Sequence, residues 1–133
     1  METKLFVNLP VKDLKKSVDF FTKLGFKFNP QFSNDDGACM IVNEDGYFML
    51  LHEKFFKTFV RKELADAHKS AEVINALMID SKEEVDKFAD KALSMGATNY
   101  RDPDVMDFMY SRSFQDLDGH LWEVGWMDPK HVM

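Results

Sequence analysis

The stretch Asp116-Leu-Asp-Gly-His-Leu-Trp-Glu-Val-Gly-Trp126 decides the fold, because it joins a turn signal to an amphipathic strand. Asp118-Gly119 favours a tight two-residue hairpin turn with positive φ angles, and an apolar strand follows it. Side chains alternate between the two faces of a strand, so Glu123 shares a face with Leu121 and Gly125. The sequence therefore predicts one carboxylate on an otherwise apolar or small strand face.

The composition is that of a globular protein of one domain. The 133 residues are 45% hydrophobic and 14% aromatic, which is sufficient for a buried core. Seventeen Lys and Arg against 23 Asp and Glu give a formal charge of −6, so nucleic acid is not an expected partner. The single Cys39 forms no disulfide within the chain, and no apolar run approaches the roughly 20 residues that cross a bilayer. We expect a cytoplasmic protein without a membrane segment.

Cap and turn signals divide the chain into two modules of the same β-α-β-β-β order, residues 1–52 and 71–127. In the first, Asp13 is the predicted N-cap of a helix that ends before Gly25. In the second, Ser81 is the predicted N-cap. The two modules predict an α+β protein with an internal repeat.

Two weaker signals lie between these elements. The connector, residues 53–70, contains a good helix-forming segment from Lys62 to His68, which predicts a short helix there. Residues Thr98 to Arg101 predict a brief strand, with a turn at Asp102-Pro-Asp104 before the next one.

The repeat aligns the two modules. Matching strand ends, helix-ending glycines and hairpin glycines are 68, 71 and 73 residues apart, in the pairs Val11 and Ile79, Gly25 and Gly96, and Gly46 and Gly119. The last separation makes Leu50 the repeat partner of Glu123.

Motifs at both ends of the chain resemble the vicinal oxygen chelate superfamily of glyoxalase I, bleomycin-resistance proteins, fosfomycin-resistance enzymes and extradiol dioxygenases. They are Val7-Asn-Leu-Pro-Val-Lys-Asp-Leu14, Leu24-Gly-Phe26 and Asp116-Leu-Asp-Gly-His-Leu-Trp-Glu123. The resemblance implies a single domain over residues 1–133, in which the two βαβββ modules form a cup of curved mixed sheet. It also implies pairing of modules, commonly in a homodimer.

Four further segments look like a bacterial subgroup usually labelled predicted lactoylglutathione lyase. They are Asn29-Pro-Gln-Phe32, Asp66-Ala-His-Lys-Ser70, Phe108-Met-Tyr-Ser-Arg-Ser-Phe114 and Trp126-Met-Asp-Pro129.

In metal-dependent members of the superfamily, four strand positions hold a divalent ion. Carried over to this sequence, these positions fall on Phe6, Leu50, Ile74 and Glu123. Hydrocarbon side chains donate no lone pair, so we expect neither a metal at this place nor another cofactor. The alternative is a shifted site made of Asn8, His52 and Glu123.

Several polar residues have two interpretations. Glu123 is either a general base or a structural carboxylate paired with Arg112 or with backbone amides. Tyr110 and Arg112 share a strand face, where the guanidinium either grips an anionic substrate or pairs with Glu123 or a surface acid. Cys39 is expected to be a small buried residue, and His68 and His120 are expected at the surface.

The preferred hypothesis is a metal-free superfamily member that binds a small, partly apolar organic molecule in the cup. The candidate lining residues are Phe6, Asn8, Leu50, His52, Ile74 and Glu123, with Tyr110 and Arg112 as further substrate contacts. The alternative is a lyase or isomerase in which Glu123 is the base and His52 or Arg112 stabilises an oxyanion. A third possibility is a cup filled by its own side chains in a protein that acts by association. Extradiol dioxygenase chemistry is not expected.

Overall fold

The structure, a computed structural model, describes residues 1–131 and divides the chain into two compact units, Met1–Ala65 and Asp66–Met133. Each unit contains a four-stranded mixed sheet with helices, and each follows the β-α-β-β-β order. The predicted α+β class and the two modules are therefore confirmed. The predicted connector, residues 53–70, is divided between the units. The predicted domain continues to residue 133, and its last two residues lie outside the described ones.

The first unit has the strand order β1-β4-β3-β2, in which β1 is parallel to β4 and the other neighbours are antiparallel. Its elements are β1 Leu5–Val11, α1 Leu14–Leu24, β2 Lys27–Asn29, a 3-10 turn Pro30–Phe32, β3 Gly37–Ile41, β4 Gly46–His52 and α2 Glu53–Lys57. Asp13 is the N-cap of α1, and its carboxylate accepts the Lys16 N–H at 3.1 Å. Gly25 ends that helix with a φ of 120°, which only glycine adopts readily.

The second unit repeats this arrangement with the order β5-β8-β7-β6. Its elements are β5 Ile74–Met78, α3 Lys82–Ser94, β6 Asp104–Met106, β7 Met109–Gln115 and β8 Leu121–Met127. The Ser81 hydroxyl accepts the Glu84 N–H at 3.2 Å, as the predicted cap requires. Helix α3 packs on the sheet through a core of Val85, Ala89 and Val124.

Two of the weaker predictions are wrong. Thr98 forms only an isolated bridge with Gln115, and the strand that pairs with β7 is β6, which begins at Asp104. Between them the Asn99 side chain accepts the Arg101 N–H at 3.4 Å in a local turn, and Pro103 has no N–H to give to a ladder.

The segment from Lys62 to His68 is not helical. Asp66 instead closes a turn, in which its carboxylate accepts the His68 N–H at 3.0 Å and its carbonyl accepts the N–H groups of Lys69 and Ser70. The short helix of the connector is α2. No helix among residues 1–131 has the length and apolar character that crossing a bilayer demands.

The turn between β7 and β8 is held by the buried carboxylate of Asp116. Oδ1 accepts the N–H groups of Asp118 at 2.9 Å and His120 at 3.0 Å, and Oδ2 accepts the indole N–H of Trp122 at 2.8 Å. Burial raises the pKa of Asp116, while the charge of His120 and these hydrogen bonds oppose the increase. The carboxylate thus connects the turn to a tryptophan that is 1% exposed.

The predicted two-residue primed turn is wrong in detail. The Gly119 N–H donates to the Asp116 carbonyl at 3.1 Å, and the Asp116 N–H donates to the His120 carbonyl at 3.0 Å. Gly119 has a φ of 85°, whereas Asp118 keeps a negative φ. This is a three-residue loop in which an ordinary turn is followed by a left-handed glycine.

We predict that Asp116→Asn lowers the free energy of unfolding by about 1–3 kcal/mol, because one amide N–H group then faces a buried N–H donor without an acceptor. Urea denaturation followed by tryptophan fluorescence measures the change. Asp107→Asn, at an exposed turn residue, is the matched control. Equal stabilities of the two variants would contradict the role given to Asp116.

Candidate functional site

The sheet of the second unit has one face toward α3 and one face away from it, here called the helix face and the open face. Val124 lies on the helix face with Val85 and Ala89. Glu123 is its neighbour in the strand and therefore lies on the open face. The strand pairing sets Ala76 of β5 on one side of Glu123 and Ser113 of β7 on the other.

Ile74 also belongs to the open face of the second unit. It pairs with Leu121, two positions before Glu123, and it is 51% exposed. Met78, at the other end of β5, is 57% exposed and lies 3.2 Å from the position of a Cβ on Gly125. On strands β5, β7 and β8, Glu123 is the carboxylate of the open face, and it lies in a partly apolar surface, as the sequence predicts.

In the first unit, the predicted site residues divide between two faces. Phe6 pairs with Tyr47 and Asn8 with Met49, whereas Leu50 pairs with Leu9 and His52 with Val11. Strand alternation then places Leu50 and His52 on the face opposite Phe6 and Asn8. The prediction that these four residues line one surface is wrong.

The error comes from the glycines used to align the modules. Gly119 is a turn residue with positive φ, but Gly46 is already part of β4 and pairs with Leu5. The N-caps Asp13 and Ser81 are 68 residues apart. The two residues of each β1–β4 pair are 41 positions apart in the sequence. Those of each β5–β8 pair are 47 positions apart, which is six more.

The repeat separation at the last strand is therefore 74 residues, and the counterpart of Glu123 is Met49 rather than Leu50. Leu50 is fully buried, which fits a core position. The Nδ1 atom of His52 accepts the Lys54 N–H at 3.4 Å and caps α2. The shifted metal site requires Asn8 and His52 to lie on one face of the sheet. They lie on opposite faces, so this prediction is wrong.

A functional candidate that the sequence did not reveal is Tyr100. Its hydroxyl is buried, and the neighbouring polar side chain is that of Ser113. Burial raises the pKa of Tyr100, and the charge of Glu123 raises it further, while Ser113 and Arg101 oppose the increase. Tyr100 thus lies close to Glu123 and Ser113, although the loop that carries it has no periodicity that would assign it to the open face.

Tyr110 and Arg112 share a strand face, as predicted, but it is the helix face. The Tyr110 hydroxyl donates to Asp86 of α3 at 2.6 Å, and Nη1 of Arg112 donates to Asp86 at 3.1 Å and to Asp90 at 2.8 Å. Pairing of Arg112 with Glu123 is therefore wrong, and pairing with surface acids is confirmed. The hydrogen bond from Tyr110 lowers the pKa of Asp86, and Arg112 adds to this effect against partial desolvation.

The remaining reactive side chains have structural surroundings. Cys39 is 1% exposed, and burial raises the pKa of its thiol, so it is the small core residue that the sequence predicts. His68 is exposed and His120 is half-buried at the β7–β8 turn.

The residues around Glu123 do not fit the metal centre of the superfamily. Its cross-strand neighbours, Ala76 and Ser113, bring a methyl group and a hydroxyl, neither of which is an imidazole or carboxylate ligand. Across residues 1–131, no three His, Cys, Asp or Glu side chains lie close enough together to hold a metal ion.

The chain matches the Glyoxalase/Bleomycin resistance protein/Dioxygenase superfamily over residues 5–124 and belongs to it. A hypothetical protein from S. aureus is 30% identical, with a TM-score of 0.80 and 95% of each chain covered. No curated protein sequence matches the chain.

Two more distant solved structures share the fold. A glyoxalase-related enzyme from Fulvimarina pelagi is 18% identical, with a TM-score of 0.78 and 95% of this chain and 88% of that one covered. A fosfomycin resistance protein from Listeria monocytogenes is 21% identical, with a TM-score of 0.68 and coverages of 95% and 93%.

We predict that Tyr110→Phe raises the pKa of Asp86 toward its ordinary value, because the largest effect lowering it is the hydrogen bond from this phenol. Because the pKa of Asp86 is lower in the folded state, the ionised carboxylate stabilises the fold at pH values above its pKa in the unfolded state. This stabilisation is lost as the pH falls through the pKa of the folded state. Carboxyl NMR titration of the two proteins measures the change. Tyr47→Phe, in the first unit, is the control, and an unchanged Asp86 pKa in Tyr110→Phe would contradict the assignment.

Proposed function

We propose that the open face of the second unit binds a small, partly apolar organic molecule around Glu123, with no divalent ion at the superfamily's metal position. The observation that carries this proposal is the pair of neighbours of Glu123, Ala76 and Ser113, which leave a carboxylate beside a methyl group and a hydroxyl. Such a carboxylate suits a hydrogen-bond donor on a ligand better than it suits a metal ion.

The surroundings support a ligand of mixed polarity. Ile74 and Met78 expose apolar surface on this face, and the hydroxyl groups of Ser113 and Tyr100 add polar groups. Binding sites for small molecules commonly combine apolar walls with a few placed polar groups.

The proposal includes a homodimer. Val73, just before the edge strand β5, is 53% exposed, which favours contact with a second chain.

We predict that a set of small aromatic alcohols and amides contains molecules that shift the NMR signals of Ala76, Ser113 and Glu123. Glu123→Gln should weaken such binding at least tenfold, about 1.4 kcal/mol, because a charged acceptor becomes neutral. Glu72→Gln, at an exposed acid, is the matched control.

Added chelator should leave this binding unchanged. Binding that maps elsewhere would overturn the proposal. Native mass spectrometry that finds one metal ion per chain, lost in Glu123→Gln and kept in Glu72→Gln, would also overturn it.

A second candidate function is that of a lyase or isomerase of the glyoxalase type. It is favoured by the effect of the Glu123 charge, which raises the pKa of the Tyr100 phenol, and by the position of Glu123 opposite Ser113, because a carboxylate and a phenol can act as a base and an acid. In this candidate, Glu123 abstracts a proton and Tyr100 donates a hydrogen bond to the developing oxyanion.

We predict for this candidate that Glu123→Gln abolishes the turnover of adducts between vicinal dicarbonyls and thiols, while its fold is retained. Tyr100→Phe should lower kcat by about 10²-fold or more, as loss of an oxyanion donor does. Turnover and circular dichroism are measured together, with Glu72→Gln as control. Absence of turnover in the wild-type protein with and without added metals would remove this candidate and leave the binding function.

A further inference from the structure

The outer edge of β7 is interrupted in the second unit. Strand β6 pairs with β7 only as far as Asp104 opposite Ser111, and the next partner is Thr98 opposite Gln115. Residues 99–103 pass between these two points, and no backbone hydrogen bond joins them to β7 in the described part of the chain. Ser113 lies at the centre of this gap.

The main-chain groups of Ser113 face the gap. Gln115 exchanges both of its main-chain bonds with Thr98, at 2.7 and 3.0 Å, so its N–H and C=O point away from β8. The Asp116 N–H, one residue further, points toward β8 and donates to His120 at 3.0 Å. Main-chain groups alternate along an antiparallel strand, so those of Ser113 have the same direction as those of Gln115. The edge therefore presents an unpaired donor and acceptor at Ser113.

A cleft of about 240 Å³ occupies the gap. Its lining residues are Asn99, Arg101, Pro103, Tyr110, Arg112 and Ser113. Odd-numbered residues of the 99–103 segment line it, while the Tyr100 side chain lies near Ser113 and Glu123 of the open face. The cleft is thus distinct from the surface around Glu123, and the two adjoin at Ser113.

The two guanidinium groups of the cleft are not equivalent. Arg112 is held by Asp86 and Asp90, whose two carboxylates balance its charge. Arg101 donates to the single carboxylate of Asp104 from Nη2 at 2.7 Å, and a guanidinium has five N–H groups. Arg101 is therefore the group in the cleft that has N–H donors left for a ligand.

We propose that this cleft binds an N-acylated α-amino acid. The amide N–H of the ligand donates to the Ser113 carbonyl, and one carboxylate oxygen accepts the Ser113 N–H, the exchange that an opposite β residue makes. The second carboxylate oxygen accepts from Arg101. The cleft volume of about 240 Å³ suits a ligand of the size of a single small residue.

The test is a titration of the ¹⁵N-labelled full chain with N-acetylglycine. We expect a saturable downfield shift of the Ser113 amide signal. N-acetylsarcosine, which lacks the N–H, should bind at least tenfold more weakly. The inference is independent of the function proposed for Glu123, because the ligand contacts are the main chain of Ser113 and the side chain of Arg101.

Arg101→Met should weaken N-acetylglycine binding at least fivefold, and Arg61→Met, at an exposed arginine of the first unit, should leave it unchanged. An undisturbed Ser113 signal, equal binding of both ligands, or equal effects of the two arginine variants would overturn the inference. Hydrogen exchange is a second readout that needs no ligand. A Ser113 amide that exchanges as slowly as the Arg112 amide would show it to be hydrogen-bonded and would also overturn the inference.

Discussion

The carboxylate of Asp116 is the constraint on which the second unit depends. By accepting two turn N–H groups and the Trp122 indole, it fixes the length of the β7–β8 loop. Loop length sets the register of a hairpin, and a slip of one residue moves every side chain of a strand to the other face. Asp116 thereby determines that Glu123 lies on the open face and that Val124 enters the core. It also determines which main-chain groups of β7 point outward.

This register determines which side chains surround Glu123. The fold places a carboxylate on the sheet surface, but a methyl group and a serine hydroxyl flank it. The cationic and phenolic groups of β7 face α3, where Asp86 and Asp90 hold them. A single sheet thus separates a carboxylate surface from a surface that contains an ion-pair network, and Ser113 at the free edge adjoins both the open face and the cleft.

Local chemistry made much of this fold predictable from the sequence. The caps at Asp13 and Ser81, the helix end at Gly25 and the faces of β8 depend on neighbours within a few residues. The alignment of Leu50 with Glu123 failed because a strand glycine and a turn glycine look alike in a sequence, and only hydrogen bonds between distant strands distinguish them. The position of Tyr100 and the partners of Arg112 could not be predicted for the same reason, because each depends on a contact between residues that are distant in the sequence.

The most direct test of this account is the Hα–Hα nuclear Overhauser effect between Ser113 and Glu123. The two residues form a pair without mutual hydrogen bonds, in which the Cα atoms are about 4.5 Å apart and the Hα atoms point at each other. We expect strong Hα–Hα effects for Ser113 with Glu123 and for Ser111 with Gly125. Strong effects for Arg112 with Val124 instead would mean that the Ser113 amide points toward β8. Effects between Ser113 and Val124 would mean that Glu123 does not lie on the open face. Either result would contradict the strand register described above.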